Sequence, residues 1–327
     1  MKHSYLYYFL VLIGLVSLSS CQEEEYAIPE LKQELQNDVI KRTLGPNLVG
    51  LNIEFAYAMA LPKSMGKLVS AEVEASIAGG ESTFLENRSF YTNGSGEDVG
   101  IEVGSKSVNS GGKTTVAFTK DTSAATLRYS YRIPSTARGK EVSFKFSAQA
   151  SNGQAVTYSM GPYKVAEMDM VLDLDVVDSS KAFISIEDMA VYSAADAAAN
   201  ASKIDLVYLY RSIPNITFSH GLVAPSAKTY LPGVNLPAGA NRATKVQKVW
   251  NLRDFHLARL QFGVYIDDLD FQQLDIASAP DYAINMRAEA GVWVETQDGK
   301  YRAYVYVNSV SNDKKSARIS IKRYLMK

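Results

Sequence analysis

Apolar and polar residues alternate one by one along several stretches of the chain, and this period of two limits what the chain can fold into. Every second side chain is apolar in stretches 69–77, 127–133 and 142–150. Successive side chains of a β-strand point to opposite faces, so each stretch predicts a strand with one buried face. Turn-forming residues such as Asn93-Gly94-Ser95-Gly96 separate the stretches. The pattern predicts an immunoglobulin-like β-sandwich over residues 47–165, in architecture only, because this region has no cysteine pair and no tryptophan.

The rest of the chain, residues 166–327, predicts a second mainly-β domain of different character. The apolar stretch 204–210 predicts a strand, and alternating stretches return towards the end of the chain. Ser193 opens an alanine-rich stretch and predicts a capped short helix. Residues 212–245 are rich in proline and glycine and predict a long loop. We therefore expect a sandwich or barrel-like domain with a few short helices.

Residues 1–20 have the features of a signal peptide. The apolar run from Tyr5 to Leu18 is shorter than the roughly 20 residues that a membrane-spanning helix needs. It ends in Leu18-Ser19-Ser20-Cys21, which resembles a bacterial lipobox, and Cys21 is the sole cysteine. The resemblance implies cleavage before Cys21 and lipidation of its thiol, so that the acylated N-terminus binds the lipid membrane. The alternatives are an ordinary secretory signal or an anchor helix with an incidental cysteine.

Residues 21–46 are expected to form a lipid-attached tether and a short helix. Gln22-Glu23-Glu24-Glu25 resembles the surface-export signal of Bacteroidetes lipoproteins, with a solvated acidic tether as the alternative. Apolar residues at 31, 35 and 39 are spaced by four, which predicts one face of a helix that ends at Gly45-Pro46.

Charge and residue content argue against several classes of function. Lys plus Arg number 34 and Asp plus Glu 35, and this even balance gives no field for holding nucleic acid. The three histidines and the single cysteine show no zinc-ligand spacing. There is no G-x-S-x-G nucleophile motif either. The sequence therefore predicts no metal site, no cofactor and no catalytic residue, and we expect a protein that is not an enzyme.

Asp298-Gly299 predicts a two-residue hairpin loop between two alternating stretches. Counting back from that loop fixes the register of the two strands. It places Glu295 opposite Arg302, Trp293 opposite Tyr304, and Gly291 opposite Tyr306.

The same register gathers the candidate ligand-binding residues on one face of the hairpin. These are Trp293, Tyr304, Tyr306, Arg302 and Glu295. A flat aromatic surface beside a charged pair is a surface on which sugar rings stack, so an exposed glycan-binding platform is one interpretation. The alternative is that the other domain or the long loop covers this face and the rings pack as cross-strand pairs. The second tryptophan, Trp250, is expected in the core.

A family resemblance covers nearly the whole chain. The order of Val191-Tyr192-Ser193, an alanine-rich helix and 204–208, together with the ending 299–307, resembles a family of two-domain cell-surface lipoproteins of the Bacteroidetes that has a domain of unknown function. Such proteins are often found with glycan-uptake systems. The resemblance implies an outer-membrane location, at the cell surface or on the periplasmic face, and a sugar-binding role by association only.

Two functions from different classes therefore stand as hypotheses. The first is a non-enzymatic outer-membrane lipoprotein that binds glycan as an accessory to outer-membrane transport partner proteins. The second is a structural or adhesive subunit of the fimbria type, which would polymerise by accepting a donated strand.

The lipid anchor is tested by Cys21→Ala. Because the acyl chains on this cysteine are the expected membrane anchor, the variant should leave the membrane fraction. Retention of the variant in that fraction at the level of the unmodified protein, measured by fractionation, would show that the anchor assignment is wrong.

Overall fold

The computed structural model describes residues 32–213 and 216–326. The predicted signal peptide, the lipobox with Cys21 and the acidic run lie outside the described residues. From Leu35 onward the chain forms one compact unit. No helix in the part of the chain that the structure describes is long and apolar enough to cross a membrane.

The first domain is a sandwich of two antiparallel sheets with the strand orders β1-β2-β9-β4 and β11-β10-β3-β8-β7. A separate hairpin, β5–β6, runs beside β9. The strands are β1 Gln36–Lys41, β2 Asn52–Ala60, β3 Leu68–Ala75, β4 Phe84–Leu85, β5 Arg88–Thr92, β6 Asp98–Glu102, β7 Val108–Ser110, β8 Lys113–Ala117, β9 Ala124–Arg132, β10 Glu141–Ala150 and β11 Ala155–Lys164.

Aromatic rings from the two sheets meet in the centre of this sandwich. The ring of Phe55 on β2 lies 4.9 Å from that of Phe144 on β10, and Tyr57 lies 5.2 Å from Phe146. These residues alternate with polar ones along their strands, as the period of two predicts. The expected mainly-β sandwich is confirmed.

The second domain is one strongly curved antiparallel sheet with the order β17-β19-β20-β21-β12-β13-β15-β16-β18, with β14 paired to β13. Its strands are β12 Asp169–Val177, β13 Lys181–Ser185, β14 Ala190–Ser193, β15 Leu206–Ile213, β16 Ile216–Val223, β17 Lys245–Trp250, β18 Tyr282–Met286, β19 Ala290–Glu295, β20 Tyr301–Ser311 and β21 Ser316–Leu325. Its short helices are α1 Ala194–Ala199, α2 Phe255–Ala258 and α3 Asp268–Gln273.

The two ends of this sheet meet, so that it is nearly a closed barrel. The amide of Val246 on β17 donates to the carbonyl of Pro280, just before β18, at 2.7 Å. The Lys248 ammonium reaches the carbonyl of Ile284 on β18, also at 2.7 Å. Aliphatic side chains fill the interior, among them Val292, Val305 and Ile321. The barrel-like alternative for the second domain is the one observed.

The prediction of a helix in residues 21–46 is wrong for the part of this range that the structure describes. Gln36–Lys41 form β1, which pairs with β2 from Gln36 opposite Ala60 to Lys41 opposite Phe55. Leu35 and Val39 are buried in the sandwich core. A spacing of four is also two periods of a strand, so these two positions fit either structure. The sandwich consequently begins before residue 47.

Two other expectations for the second domain need correction. Trp250 is 50% exposed because it is the last residue of β17, where the Lys248 ammonium lies 4.6 Å from its ring centre. The long loop predicted over 212–245 contains β16, so the irregular segment between β16 and β17 is shorter. Ser193 caps α1 as predicted, accepting a hydrogen bond from the amide of Asp196 at 3.2 Å.

A buried ion pair fixes the chain between β17 and β18 on the outside of the barrel. The Lys322 ammonium on β21 lies 2.6 Å from the Asp254 carboxylate and donates to the carbonyl of Ile266 at 2.9 Å. Asp254 also accepts from the amides of Leu257 and Ile266, at 2.9 and 2.8 Å. Both side chains are fully buried. Burial lowers the pKa of Lys322, and Asp254 opposes that shift. We call residues 252–273, held in this way, the covering segment.

We expect Lys322→Met to reduce the free energy of unfolding by about 3–5 kcal/mol, since it leaves the Asp254 carboxylate buried without its cation. The matched control is Arg318→Met. Arg318 and Asp175 form an ion pair at 2.9 Å in which both side chains are more than half exposed. Its loss should leave stability nearly unchanged. Urea unfolding measures both, and equal stability of the two variants would contradict the structural role of the buried pair.

Candidate functional site

The hairpin of β19 and β20 has the predicted register. Glu295 pairs with Arg302, Trp293 with Tyr304, and Gly291 with Tyr306. The amide of Thr296 donates to the carbonyl of Tyr301 at 3.0 Å, so the loop beyond these two residues holds four residues rather than the expected two. The register is unchanged because the loop is longer by one residue on each side.

The aromatic face of this hairpin is buried, so of the two interpretations the exposed platform is the one that is wrong. Tyr304 is 0% and Tyr306 is 2% exposed, and Trp293 is half-buried. The ring of Phe271 on α3 packs 5.5 Å from the Trp293 ring, and the Tyr304 hydroxyl donates to the carbonyl of Leu252 at 2.6 Å. The covering segment supplies both contacts. The alternative of a covered face with cross-strand ring pairs is the one the structure shows.

The predicted charged pair also has a structural role. The Arg302 guanidinium donates to the Glu295 carboxylate at 2.7 Å. It donates as well to the carbonyls of Phe271 and Gln272, at 2.7 and 3.2 Å. Arg302 therefore satisfies carbonyls at the C-terminal end of α3, which a short helix leaves without partners. Trp293, Tyr304 and Arg302 therefore hold the covering segment in place. Glu295 takes part through Arg302, and Tyr306 is buried in the same apolar cluster. No ligand could reach the two tyrosines without moving the covering segment.

A cleft of about 430 Å³ opens on the other side of the covering segment, where it meets the first domain. This volume lies within the range that small-molecule sites occupy, and such sites often form between domains. Its polar and aromatic lining includes Arg42, Asn52, Glu54, Phe255, His256 and Tyr265.

The first-domain wall of the cleft follows from the alternation of β2. Ile53 and Phe55 point into the sandwich core, so Asn52 and Glu54 point outward. Arg42 follows β1, and its amide donates to the carbonyl of Glu54 at 2.8 Å. The wall thus presents a guanidinium, a carboxylate and an amide side by side.

Three rings from the covering segment form the opposite wall. The ring centres of Phe255 and Tyr265 are 5.0 Å apart, and those of His256 and Tyr265 are 5.5 Å apart. The Tyr265 ring also lies against Gly45, where an added Cβ would overlap it. Gly45 has φ +75°, which an L side chain rarely adopts. Glycine at 45 therefore allows the close approach of the two domains at the cleft.

His256 is the unusual group of the cleft. Its Nδ1 is buried and has no hydrogen-bond partner among the described residues. Burial, followed by the positive charge of Lys322, lowers the pKa of His256 to about 4, against a smaller opposing effect of Asp254. The imidazole is therefore neutral at pH 7, and it contributes its ring, not its enclosed Nδ1, to the wall of the cleft.

The cleft suits an uncharged polar ligand with flat apolar faces. Its rings provide surfaces for stacking, and its charged side chains include both signs, so no net field selects an ion. Among the described residues, no group of three or more histidine, cysteine or acidic side chains could hold a metal ion.

Sequence reasoning missed the cleft because its two walls are far apart along the chain. The one local signal that could have found it is the grouping of three rings, Phe255, His256 and Tyr265, within a short stretch of the chain. Gly45-Pro46 predicted the end of an element, but nothing in the sequence predicted that the Tyr265 ring packs against Gly45.

Comparison with known proteins relates both halves of the chain to families. Residues 32–165 match the family described as "Domain of unknown function (DUF4466)", and residues 166–326 match "Domain of unknown function (DUF8576)". A crystal structure of a DUF4466 family protein from Parabacteroides merdae is 48% identical, with a TM-score of 0.84, and the match covers 90% of this chain and 99% of that one. The chain belongs to the DUF4466 family.

More distant comparisons add nothing to this DUF4466 assignment. The major pilin subunit of Bacillus cereus is 10% identical with a TM-score of 0.28, over 86% of this chain and 62% of that one, a likeness too weak to support any argument. No functionally curated protein matches the chain.

The pKa of His256 predicts a pH dependence of stability. In the unfolded chain the imidazole takes up a proton near pH 6.5, but in the folded protein it stays neutral down to about pH 4. The unfolded state thus binds more protons between these values, and the free energy of unfolding falls as the pH is lowered through that window. His256→Gln should show a smaller fall across the window in urea titrations. Parallel profiles for the two proteins would rule out the buried neutral imidazole.

Proposed function

We propose that this DUF4466 family protein is a non-enzymatic, lipid-anchored glycan-binding protein of the outer membrane. The observation that carries the proposal is the cleft between the covering segment and the first domain. It combines three aromatic rings with a guanidinium, a carboxylate and an amide in a volume of about 430 Å³. Ligand sites of this kind hold apolar faces by stacking and fix orientation with a few polar groups.

A sugar ring satisfies both walls of the cleft at once. Its apolar C–H face can lie on the Tyr265 ring, while its hydroxyls donate to Glu54 and accept from Arg42. Bonds to a charged partner are stronger than those between neutral groups, and they impose geometry on the hydroxyls.

The acidic content of the cleft favours binding over hydrolysis. A glycosidase needs two carboxyl groups flanking the bond that it cleaves. Glu54 is the one carboxylate among the described residues that line the cleft. The arrangement can therefore hold a glycan but lacks the acid and base pair that would cut it.

The location in this proposal depends on the N-terminal sequence. Lipidation of Cys21 would hold the protein at the outer membrane, and the acidic residues after it favour the cell surface over the periplasmic face. There the protein would pass glycan to outer-membrane transport proteins. The nearly equal numbers of basic and acidic residues argue against nucleic acid as a partner.

The test is retention of the mature chain on an array of plant, host and microbial oligosaccharides. We expect Tyr265→Leu to weaken retention by about tenfold or more, since leucine keeps an apolar contact with Gly45 but has no flat ring. Arg42→Ala removes an exposed side chain and should weaken retention without changing the melting temperature.

The matched control is Tyr158→Ala, which removes an exposed tyrosine from β11, in the other sheet of the first domain. It should bind like the unmodified protein. Absence of retention on every oligosaccharide would contradict the proposal. Polymerisation of the mature chain in size-exclusion chromatography would favour the fimbria-type alternative instead.

A further inference from the structure

A second cavity of about 430 Å³ lies on the first domain, between the β5–β6 hairpin and the outer face of β1, β2 and β9. We call it the hairpin groove. Ala58 and Ala60 of β2 form its floor, Asp38 lies on the β1 side, and Phe90 and Tyr91 lie on the hairpin side. Tyr91 lines the groove and is 52% exposed.

The wall of the hairpin groove is held in place by its own contacts. The Arg128 guanidinium lies 3.8 Å from the centre of the Phe90 ring and forms an ion pair with Asp98 on β6. Phe90 pairs with Gly100 across the hairpin, and an added Cβ at Gly100 would press against the Phe90 ring. The hairpin is thus fastened to β9 rather than free to close over the groove.

The hairpin groove and the cleft lie on the same face of the same strand. Ile53, Phe55, Tyr57 and Met59 of β2 point into the core, so the residues between them all point outward. Glu54 lines the cleft, and Ala58 and Ala60 line the hairpin groove. From Glu54 to Ala60 the strand rises by about 20 Å, which sets the span between the two sites.

Between the two cavities, outward side chains of β1, β2 and β9 form the surface. Ala56 is the outward-facing residue of β2 in this region. Its partner on β1 is Ile40, which is 63% exposed. Ala56 pairs on its other side with Arg128. An extended ligand that follows β2 from one cavity to the other would therefore pass over Ala56, between Ile40 and the Arg128 side chain.

We propose that the hairpin groove is a second subsite for the same ligand, so that the protein binds an extended oligosaccharide rather than a single sugar. This inference rests on the proposed glycan-binding function of the cleft. The two cavities supply a stacking ring at each end, Tyr265 in the cleft and Tyr91 in the hairpin groove. Both charge signs lie along the path, at Arg42, Glu54 and Asp38, which suits a neutral glycan.

The position of the path on the sheet favours a glycan over a peptide. An extended peptide binds a sheet by adding a strand to a free edge, where backbone groups lack partners. The path instead follows β2, whose backbone is already paired on both sides, with β1 and with β9. A ligand on this path can therefore contact side chains but no free backbone groups. A sugar chain binds side chains by stacking on rings and by hydrogen bonds to its hydroxyls.

The experiment compares the affinity of disaccharides and octasaccharides from the cello-, malto- and xylo-oligosaccharide series by calorimetry. We expect the octasaccharide of the series that binds to be at least about tenfold tighter than its disaccharide, since it occupies two linked subsites. Tyr91→Ala should remove this gain and leave disaccharide affinity unchanged. Tyr265→Leu should weaken both ligands, and Tyr158→Ala should change neither.

Failure of the inference differs from failure of the proposed function. If Tyr91→Ala binds the octasaccharide as tightly as the unmodified protein does, the second subsite is wrong while the cleft stands. If neither length binds in any series, the proposed function itself fails in this assay and the inference with it. Binding of gelatin peptides in place of oligosaccharides, lost in Tyr91→Ala, would assign the hairpin groove to peptide and overturn the inference.

Discussion

The buried ion pair between Asp254 and Lys322 is the contact on which the second half of the structure depends. It places a carboxylate and an ammonium out of water, which is favourable only because each is also held by other hydrogen bonds: Asp254 by two backbone amides and Lys322 by the carbonyl of Ile266. The pair joins a segment of loops and two short helices to a central strand of the barrel. Once the segment is fixed there, its inner side covers the tyrosines of β20, and its outer side carries Phe255, His256 and Tyr265 towards the first domain.

The candidate ligand-binding rings therefore lie on the segment that covers the barrel sheet and not on that sheet itself. The covering segment buries the tyrosines of β20. The rings of the segment itself, Phe255, His256 and Tyr265, line the cleft instead. The ion pair also affects the cleft, because the positive charge of Lys322 helps to lower the pKa of His256. A change at the ion pair would therefore affect stability and the cleft together, whereas a change at Arg42 would affect the cleft alone.

The features that were predictable from the sequence are those that depend on neighbouring residues. The register of β19 and β20 followed from Asp298-Gly299 and a period of two, because pairing within a hairpin is local. Which face of the hairpin meets water was not predictable, since that depends on residues 252–273 packing from elsewhere in the chain. The stretch around Leu35 and Val39 fitted a helix or a strand equally, and pairing with β2 decided between them. The cleft needed both domains in place before Tyr265 and Glu54 could face each other.

The central claim is that a glycan occupies the cleft between the covering segment and the first domain. A crystal structure of the mature chain, grown with an oligosaccharide that the array retains, tests it most directly. The account predicts density for a sugar ring against Tyr265, with hydroxyls directed towards Arg42 and Glu54. Density for the sugar elsewhere on the protein, with the cleft empty, would contradict it.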